Sequence, residues 1–540
     1  MPRAWLAVLA AAALVVGVLN LQRPLANPDE GRYSEISREM VASGDWVTPR
    51  LDGIKYFEKP PLQYWASAAA FGIFGTNEPA ARLYGWLAGF LTLVVVGFAA
   101  WRLAGAAVAG ASVLALVASP YFMALGGIVT LDMGLTLWTS ATFFALLLAE
   151  HASERPGEQR AWMIASWAAM ALAVLSKGLV GIVFAGAAVF FAMVLSRDLS
   201  ILKRMRWGWG LAIFLVLAVP WFVLVSRANP EFAHFFFVHE HFERFLTHEH
   251  RRVQPAWFFI PIILLGFLPW AVSLGAAAWD GWKAQGPQRF PVRMALLWSA
   301  FILAFFSASG SKLPAYVLPL FPSLAFVLGR YLAQAPESRL ARQALATAAI
   351  AVILLMVAAS VPITGDDWTV SLYAAAMPWL FTAVAMIGVG ALGATFLLRH
   401  QRRFEALAAM ALGSVVALGL VIEGYGALTP RQSGIGVARA MAPYLASNPR
   451  LYSVDYYDQT IPFYIGRTVT LVSYVDEFET GLAAEPGKSI ARLGDFPAEW
   501  LRPGGALAIM QPRAYAQMKA LGLPMDVLHV DPRRVLVRKP

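Results

Sequence analysis

Two adjacent carboxylates and an arginine stand in the stretch NPDEGRY, residues 27–33, directly behind an apolar segment that begins almost at the first residue. Charged side chains are costly at membrane depth and are functional-site candidates by default. A carboxylate such as that of Asp29 can act as a general base on a hydroxyl or orient a phosphate, and lysine or arginine can stabilise the charge of a leaving phosphate. A lipid phosphate at the bilayer surface is a natural substrate for such a set.

Several other short stretches carry charge at the ends of apolar segments. They contain Asp132, Lys177 and Lys312, the motif YFEKPPLQYW (56–65) with Glu58 and Lys59, and the motifs HEHFERF (239–245) and HEHRR (248–252). Each also has a plain structural reading: Asp132 can cap a helix, worth about 0.5–2 kcal/mol, the lysines can snorkel, and Glu58 can pair with Lys59 for under about 1 kcal/mol. Convergence of both signs of charge on one side favours an active site or a transport vestibule.

Composition indicates an integral membrane protein. The 540 residues are 59% hydrophobic and only 14% charged, against roughly 25% charged residues in a soluble domain. The absence of cysteine excludes disulfides, thiol catalysis and cysteine metal sites. The net charge of +10 does not by itself indicate nucleic-acid binding, because basic residues of membrane proteins often report topology.

Thirteen apolar segments are long enough to be membrane spans of about 20 residues each. We predict them near residues 4–21, 80–100, 106–125, 131–149, 161–175, 178–195, 208–226, 256–278, 293–308, 314–332, 343–362, 375–398 and 405–422. We interpret the first as an uncleaved helix and not a signal peptide, because further spans follow it. Basic residues then fall in alternate loops, which the positive-inside rule makes cytoplasmic, with the amino terminus inside and the carboxyl terminus outside.

The outer side carries the long loops 21–79 and 227–255. Within the first, apolar residues recur at helical spacing from Tyr33 to Val41, which predicts a short amphipathic helix on the membrane surface. The segment Leu62–Phe74 is too short to span comfortably and is predicted to be interfacial or re-entrant. Residues 1–425 would form the membrane domain, and residues 426–540 a small soluble domain.

Alternating strand and helix signals predict an α/β sheet in this soluble part. We predict helices over 435–445, 489–493 and 514–520, strands over 450–454, 468–472, 506–510 and 535–538, and a turn at TPRQSG (429–434). The segment contains no GxGxxG or P-loop motif. We therefore expect no nucleotide cofactor.

These residues carry a specific resemblance. Residues 27–65 resemble the first periplasmic loop of the bacterial aminoarabinose transferases and of their relatives in the protein mannosyltransferase superfamily. The blocks TLDMGLTLW (130–138), SKGLVG (176–181), HFERF (241–245) and SKLPAYVLPLFP (311–322) follow in that family's order. The resemblance covers most of the membrane part. It implies a polytopic α-helical membrane protein of the GT-C fold, with about 13 transmembrane helices and a small periplasmic α/β C-terminal domain.

The resemblance also implies roles for individual residues. Asp29 would be the leading catalytic carboxylate, and Asp132 would support the acceptor or the base. The carrier phosphate would be bound by Lys59 and Arg244, in a cavity lined also by Lys177, Tyr316 and Tyr56. A divalent metal would be held by Glu58 and His239. Zinc would then have a structural role, pinning two loops together, with His241 as the alternative ligand. Two protein ligands are few for a structural zinc site.

The function implied is transfer of a sugar, 4-amino-4-deoxy-L-arabinose in the leading hypothesis, from undecaprenyl phosphate to lipid A phosphate by an inverting displacement at the periplasmic face of the inner membrane. Membrane lipids are the other expected partner, and nucleic acid is not one. A related polyprenyl-phosphate glycosyltransferase with another sugar or acceptor is the first alternative. A lipid-carrier transporter or flippase is the second; it predicts internal repeats and interrupted helices, and we find no clear repeat.

Overall fold

Apolar segments fold into a bundle of helices in the computed structural model, which describes residues 3–243 and 254–540, with side chains for 13–238 and 254–540. The first half contains α1 (Arg3–Gln22), α2 (Asp29–Ser43), α3 (Leu62–Phe74), α4 (Glu78–Ala104), α5 (Ala106–Val117), α6 (Pro120–Gly126), α7 (Leu131–His151), α8 (Pro156–Lys177), α9 (Val180–Ser196), α10 (Ile201–Arg204) and α11 (Trp207–Ala228). The second half contains α12 (Phe259–Gly266), α13 (Ala271–Trp282), α14 (Arg289–Ala308), a 3-10 helix (Pro314–Leu320), α15 (Phe321–Gln334), α16 (Glu337–Ser360), α17 (Asp367–Arg399) and α18 (Arg403–Gly426). A short 3-10 helix, Gly286–Gln288, precedes α14.

The chain is a multi-pass membrane protein. Among the described residues, eight helices are long and apolar enough to cross a bilayer, or ten if each of two bent pairs forms one span. The bent pairs are α5 with α6, at 69°, and α12 with α13, at 102°. Every predicted span contains a helix, but some of these are short or too polar, so the count of thirteen stays a prediction.

The first long loop folds into α2, a two-stranded hairpin and α3. The hairpin pairs β1 (Arg50–Leu51) with β2 (Ile54–Lys55) in antiparallel fashion. The predicted helix is present as α2, and Glu30, Glu35 and Glu39 on its polar face are buried. Its predicted place on the membrane surface stays a prediction. An apolar cluster joins α2 and α3 to the C-terminal sheet, whereas Arg23 and Arg82 enclose Glu30. The predicted bounds of α3 are confirmed.

The second long loop begins after α11 and continues into a π-helix over His234–Glu243. Its first residues are anchored to the first loop: Lys55 Nζ lies 2.7 Å from Glu231 Oε1, and the rings of Phe57 and Phe232 pack edge to face with centroids 5.4 Å apart. The two loops named by the charged motifs are therefore neighbours.

The C-terminal part forms a six-stranded sheet with strand order β5-β4-β3-β6-β8-β7. Its elements are α19 (Thr429–Gln432), α20 (Ile435–Leu445), β3 (Arg450–Val454), α21 (Ile461–Ile465), β4 (Thr470–Val472), α22 (Glu479–Ala484), β5 (Ser489–Ile490), α23 (Phe496–Leu501), β6 (Ala506–Met510), α24 (Pro512–Ala520), β7 (Asp526–Val530) and β8 (Val535–Arg538), with 3-10 turns at Asp476–Phe478, Pro486–Lys488 and Leu493–Asp495. We call residues 435–540 the sheet domain. The end of the helix bundle that this domain contacts is called the sheet end.

Strands β5, β4, β3 and β6 are parallel, whereas β8 runs antiparallel to β6 and β7 antiparallel to β8. Successive side chains of β3 point to opposite faces. Leu451 joins the cluster that covers α2, and Tyr452 packs against Phe496 and Trp500 on the other face. One face of the sheet is thus committed to the first loop.

The C-terminal part departs from the predicted secondary structure at three places. The predicted helix 489–493 is the edge strand β5 followed by a 3-10 turn, because Ser489 and Ile490 pair with β4. The predicted turn at 429–434 contains the single helical turn α19. Strand β7 was not predicted; three of its five residues are half-buried and two exposed, so its apolar pattern is weak.

Candidate active site

Asp29 is the first helical residue of α2, at the sheet end of the bundle. Its side chain is 41% exposed, and Arg32 Nη1 donates to its Oδ1 at 3.1 Å. The helix dipole favours a carboxylate in the first turn by about 0.3–1 kcal/mol. Asp29 is thus oriented by the arginine one turn later and remains accessible to a substrate.

Glu30, its neighbour, is held quite differently. Its side chain is 2% exposed and accepts paired hydrogen bonds from Arg23 (2.7 and 3.0 Å) and from Arg82 (2.8 and 3.0 Å). Burial alone would raise the pKa of Glu30, but the charges and hydrogen bonds of Arg82 and Arg23 outweigh burial and lower it to about 2. Glu30 is therefore a structural anchor that is ionised at neutral pH.

A second charged group joins Asp132, Lys177 and Tyr316. Asp132 lies in the first turn of α7, and Lys177 ends α8. Lys177 Nζ lies 2.5 Å from Asp132 Oδ1 and 4.5 Å from the centroid of the Tyr316 ring. Helix dipoles favour both charges where they stand. This group therefore holds the Lys177 ammonium between a carboxylate and a tyrosine ring.

The segments that carry the two groups are in contact. The backbone N–H of Val129, just before α7, donates to Glu30 Oε1 at 3.2 Å. Asp29 and Thr130 line one cavity of about 290 Å³, together with Tyr425 of α18. The structure therefore brings the DE pair and the LDM block to one place at the sheet end.

The EKP motif lies beside the same segment. Lys59 Nζ donates to the carbonyl oxygen of Glu58 at 2.9 Å and lies 3.7 Å from its carboxylate. The Glu58 carboxylate also interacts electrostatically with Arg32. Tyr56 is 2% exposed, with the Arg32 guanidinium 6.0 Å from its ring centroid, and burial raises the pKa of its hydroxyl well above the usual value. Tyr56 packs under Arg32, and its predicted role in lining a carrier cavity stays a prediction.

Arg244 lies outside the described residues, as do the side chains of His239 and His241. Their predicted roles are therefore not tested. Among the described side chains, those of residues 13–238 and 254–540, no three His, Asp or Glu are grouped as a metal site would require. The zinc assignment stays a prediction.

Lys312 is not a free cation of the site. Its side chain is buried, and Nζ donates to the carbonyl oxygen of Ser309 at 2.6 Å. This hydrogen bond closes the loop between α14 and the 3-10 helix.

Three functional neighbours were missed in the sequence. Arg23 and Arg82 hold Glu30, and Glu477 of the sheet domain lies 2.5 Å from Arg32 Nη2. Arg82 carried a usable signal, since it is a charge inside the predicted span 80–100. Glu477 carried none, because its role depends on how the sheet domain packs on α2.

Sequence comparison matches two family models. The model described as dolichyl-phosphate-mannose-protein mannosyltransferase matches residues 6–236, and that of the aminoarabinose transferase C-terminal domain matches residues 437–539. Similar proteins named undecaprenyl phosphate-alpha-4-amino-4-deoxy-L-arabinose arabinosyl transferase come from Sodalis glossinidius (strain morsitans), 34% identical over 61% of this chain and 58% of that protein, and Shewanella sediminis (strain HAW-EB3), 33% identical over 67% and 66%. The chain thus spans less than two thirds of the length of these relatives.

Similarity to solved structures extends over the whole chain. The crystal structure of ArnT from Cupriavidus metallidurans bound to undecaprenyl phosphate is 35% identical, with a TM-score of 0.95 over 100% of this chain and 99% of that one. An archaeal oligosaccharyltransferase from Archaeoglobus fulgidus, 16% identical with a TM-score of 0.50, shares the fold alone. The similarity of fold therefore includes the sheet domain as well as the helix bundle.

Proposed function

We propose a function on the basis that the chain belongs to the family of bacterial undecaprenyl-phosphate aminoarabinose transferases. In this proposal it transfers 4-amino-4-deoxy-L-arabinose from undecaprenyl phosphate to a phosphate of lipid A. The observation that carries the proposal is that the segments bearing two ion pairs, Asp29 with Arg32 and Asp132 with Lys177, adjoin at one end of the bundle, where Asp29 and Thr130 line one cavity. One supplies an accessible carboxylate and the other an ammonium for a phosphate. Transfer to another acceptor or of another sugar would use the same arrangement.

In the proposed reaction, an acceptor oxygen attacks C1 of the sugar from the side opposite the carrier. The bond between C1 and the carrier phosphate oxygen breaks, and its electron pair leaves on undecaprenyl phosphate. Lys177, with Lys59 and Arg244, stabilises the charge that develops there. Asp132 keeps the Lys177 ammonium aimed at the site by its 2.5 Å contact.

The role of Asp29 depends on the acceptor. A phosphate acceptor is already ionised, so Asp29 orients it or the amine of the sugar. An alcohol acceptor must lose a proton, and Asp29 then takes it as general base. In both cases the carboxylate acts from the position that Arg32 sets.

The test is sugar transfer by the purified protein in lipid vesicles, from synthetic undecaprenyl-phosphate aminoarabinose to lipid A, followed by mass spectrometry. We expect wild type to transfer the sugar and Asp29→Asn to lose at least about 100-fold in kcat. Asp526→Asn is the matched control, because Asp526 is also about half-exposed (46%) and pairs with an arginine, Arg538, at 2.6 Å. Carrier movement between leaflets without transfer by wild type would refute the enzyme and favour a flippase.

We also propose that the sheet end faces the periplasm and that the membrane is the inner membrane. The support is the excess of basic residues at the opposite end, including Arg102, Arg155 and Lys203. Because the chain has no cysteine, Gly487→Cys and Gly157→Cys each create a single thiol, and neither position has a neighbouring atom within 4 Å of a new Cβ. A membrane-impermeant maleimide should label only Gly487→Cys in spheroplasts; labelling of Gly157→Cys alone would reverse the orientation.

A structural zinc ion held by Glu58 and His239 is the last part of the proposal. The Lys55–Glu231 ion pair and the Phe57–Phe232 ring contact support it, because they join the two segments that carry these ligands. The metal content of purified protein should fall in Glu58→Gln and not in the exposed control Glu423→Gln. Equal metal content in the two variants would remove Glu58 from the site.

A further inference from the structure

The catalytic segment, residues 27–33, rests on one edge of the sheet domain. Strands β3 and β4 are parallel neighbours, so their carboxyl ends lie at the same edge, where ligand and active-site contacts gather in parallel sheets. Asp458, Gln459 and Thr460 follow β3, and Glu477 follows β4. These two loops face the start of α2.

The contact is close along the whole segment. Asn27 Nδ2 donates to Asp458 Oδ1 at 2.8 Å, and the Asn27 backbone N–H donates to the carbonyl oxygen of Gln432 at 2.7 Å. At Gly31, a Cβ atom would stand 2.5 Å from the carbonyl carbon of Gln459 and 2.6 Å from the backbone nitrogen of Thr460. Glycine is therefore required at position 31 because the backbones of α2 and the sheet domain touch there.

Arg32 connects this edge to Asp29. Its Nη1 donates to Asp29 Oδ1 at 3.1 Å, and its Nη2 lies 2.5 Å from Glu477 Oε2. Gln459 Nε2 donates to Glu477 Oε1 at 2.7 Å and fixes that carboxylate. Arg32 and Glu477 are 13% and 6% exposed, so little water competes for the guanidinium.

We infer that Glu477 is a positioning residue for Asp29, by which the sheet domain completes the active site. The carboxylates of Asp29 and Glu477 share the positive charge of the Arg32 guanidinium. Asp29 can therefore still accept a hydrogen bond from the substrate. Without the charge of Glu477, Arg32 binds Asp29 more strongly, with Glu58 as its other acidic neighbour, and draws the Asp29 carboxylate away from the substrate. The inference rests on the proposed transferase function.

The experiment compares full-length Glu477→Gln, Glu477→Asp and Glu485→Gln in the same transfer assay. Glutamine keeps the shape and the hydrogen bond and removes the charge. We expect kcat to fall about 10-fold or more in Glu477→Gln, with KM for the undecaprenyl-phosphate sugar unchanged, and to recover in part in Glu477→Asp. Glu485→Gln is the matched control, because Glu485 also joins the sheet domain to an arginine of the first loop, Arg50 at 3.0 Å, and should keep wild-type kcat.

A second readout does not depend on sugar transfer. Hydrogen–deuterium exchange over residues 27–33 should rise in Glu477→Gln and stay unchanged in Glu485→Gln. Wild-type kcat in Glu477→Gln, or equal losses in both variants in step with lower thermal stability, would overturn the positioning role. Inactive wild type would refute the proposed function instead, and unchanged exchange in Glu477→Gln would then overturn the positioning role as well.

Discussion

The two halves of α2 bury carboxylates under opposite electrostatic conditions. At its start, the single carboxylate of Glu30 meets two guanidiniums, those of Arg23 and Arg82. One to two turns later, the buried carboxyls of Glu35 and Glu39, on the face toward the sheet domain, are accompanied by one guanidinium, that of Arg38. We call these the arginine-rich cluster and the carboxyl-rich cluster; Asp52 of the hairpin turn belongs to the second.

The difference decides which cluster responds to pH. Arg38 gives both of its strong hydrogen bonds to Glu35, at 2.6 and 2.7 Å. Glu39 accepts the backbone N–H of Gly53 at 2.9 Å, and burial followed by the charge of Glu35 raises its pKa to about 8. Burial likewise raises the pKa of Asp52 well above its usual value. The surplus of positive charge keeps the carboxylate of the arginine-rich cluster ionised, and the shortage of positive charge lets the carboxyl groups of the carboxyl-rich cluster titrate.

The largest effect is expected where the anchor is broken. Arg82→Met leaves Glu30 buried with one guanidinium fewer, and also removes hydrogen bonds to the carbonyl oxygens of Leu21 and Pro24. Breaking a buried pair by removing one partner costs about 3–5 kcal/mol. Denaturation in mixed micelles measures the loss. Arg402→Met is the control, since Arg402 is 54% exposed and its pair should contribute under about 1 kcal/mol; equal losses would show that the anchor is not special.

The next effect sharpens the comparison through pH. The folded pKa of Glu39, about 8, lies above its ordinary value of 4.5, so its contribution to stability is complete below pH 4.5 and is lost as the pH rises through 8. The folded pKa of Glu30, about 2, works in the other direction, and its contribution is lost only as the pH falls from 4.5 toward 2. Of the two clusters, therefore, only the carboxyl-rich cluster changes its contribution to the free energy of unfolding between about pH 5 and 8.

Glu39→Gln tests this directly, because glutamine imitates the protonated carboxyl: its oxygen can accept from Gly53 and its amide can donate toward Glu35. The wild-type melting temperature should fall from pH 5 to pH 8, and the fall should be smaller in the variant. Thermal scanning fluorimetry in detergent at the two pH values gives the comparison. Parallel pH slopes would mean that Glu39 is ionised in the folded protein.

How much of this was readable in the sequence differs between the two clusters. Long apolar runs and a charge inside a span at Arg82 are local signals, and the helices of the bundle and strands β3, β6 and β8 follow from local patterns. The carboxyl-rich cluster is not local. A polar helix face is ordinarily solvated, so α2 was expected at the membrane surface, and only the packing of the sheet domain buries that face. Glu477 escaped prediction for the same reason.

The smallest expected effect is at the ion pair of Glu485 and Arg50, beside the hairpin that contributes Asp52 to the carboxyl-rich cluster. Glu485 Oε2 lies 3.0 Å from Arg50 Nη1 and accepts from the backbone N–H of Lys55 at 3.2 Å, but the two side chains are 19% and 27% exposed. Water competes for these charges, so Glu485→Gln should change the free energy of unfolding by under about 1 kcal/mol. Mixed-micelle denaturation beside Arg82→Met makes the comparison internal. A loss as large as that of Arg82→Met would mean that the partly hydrated pair of Glu485 and Arg50 stabilises the protein as strongly as the buried pair of Glu30 and Arg82. Burial would then not explain why one ion pair contributes more to stability than another in this fold.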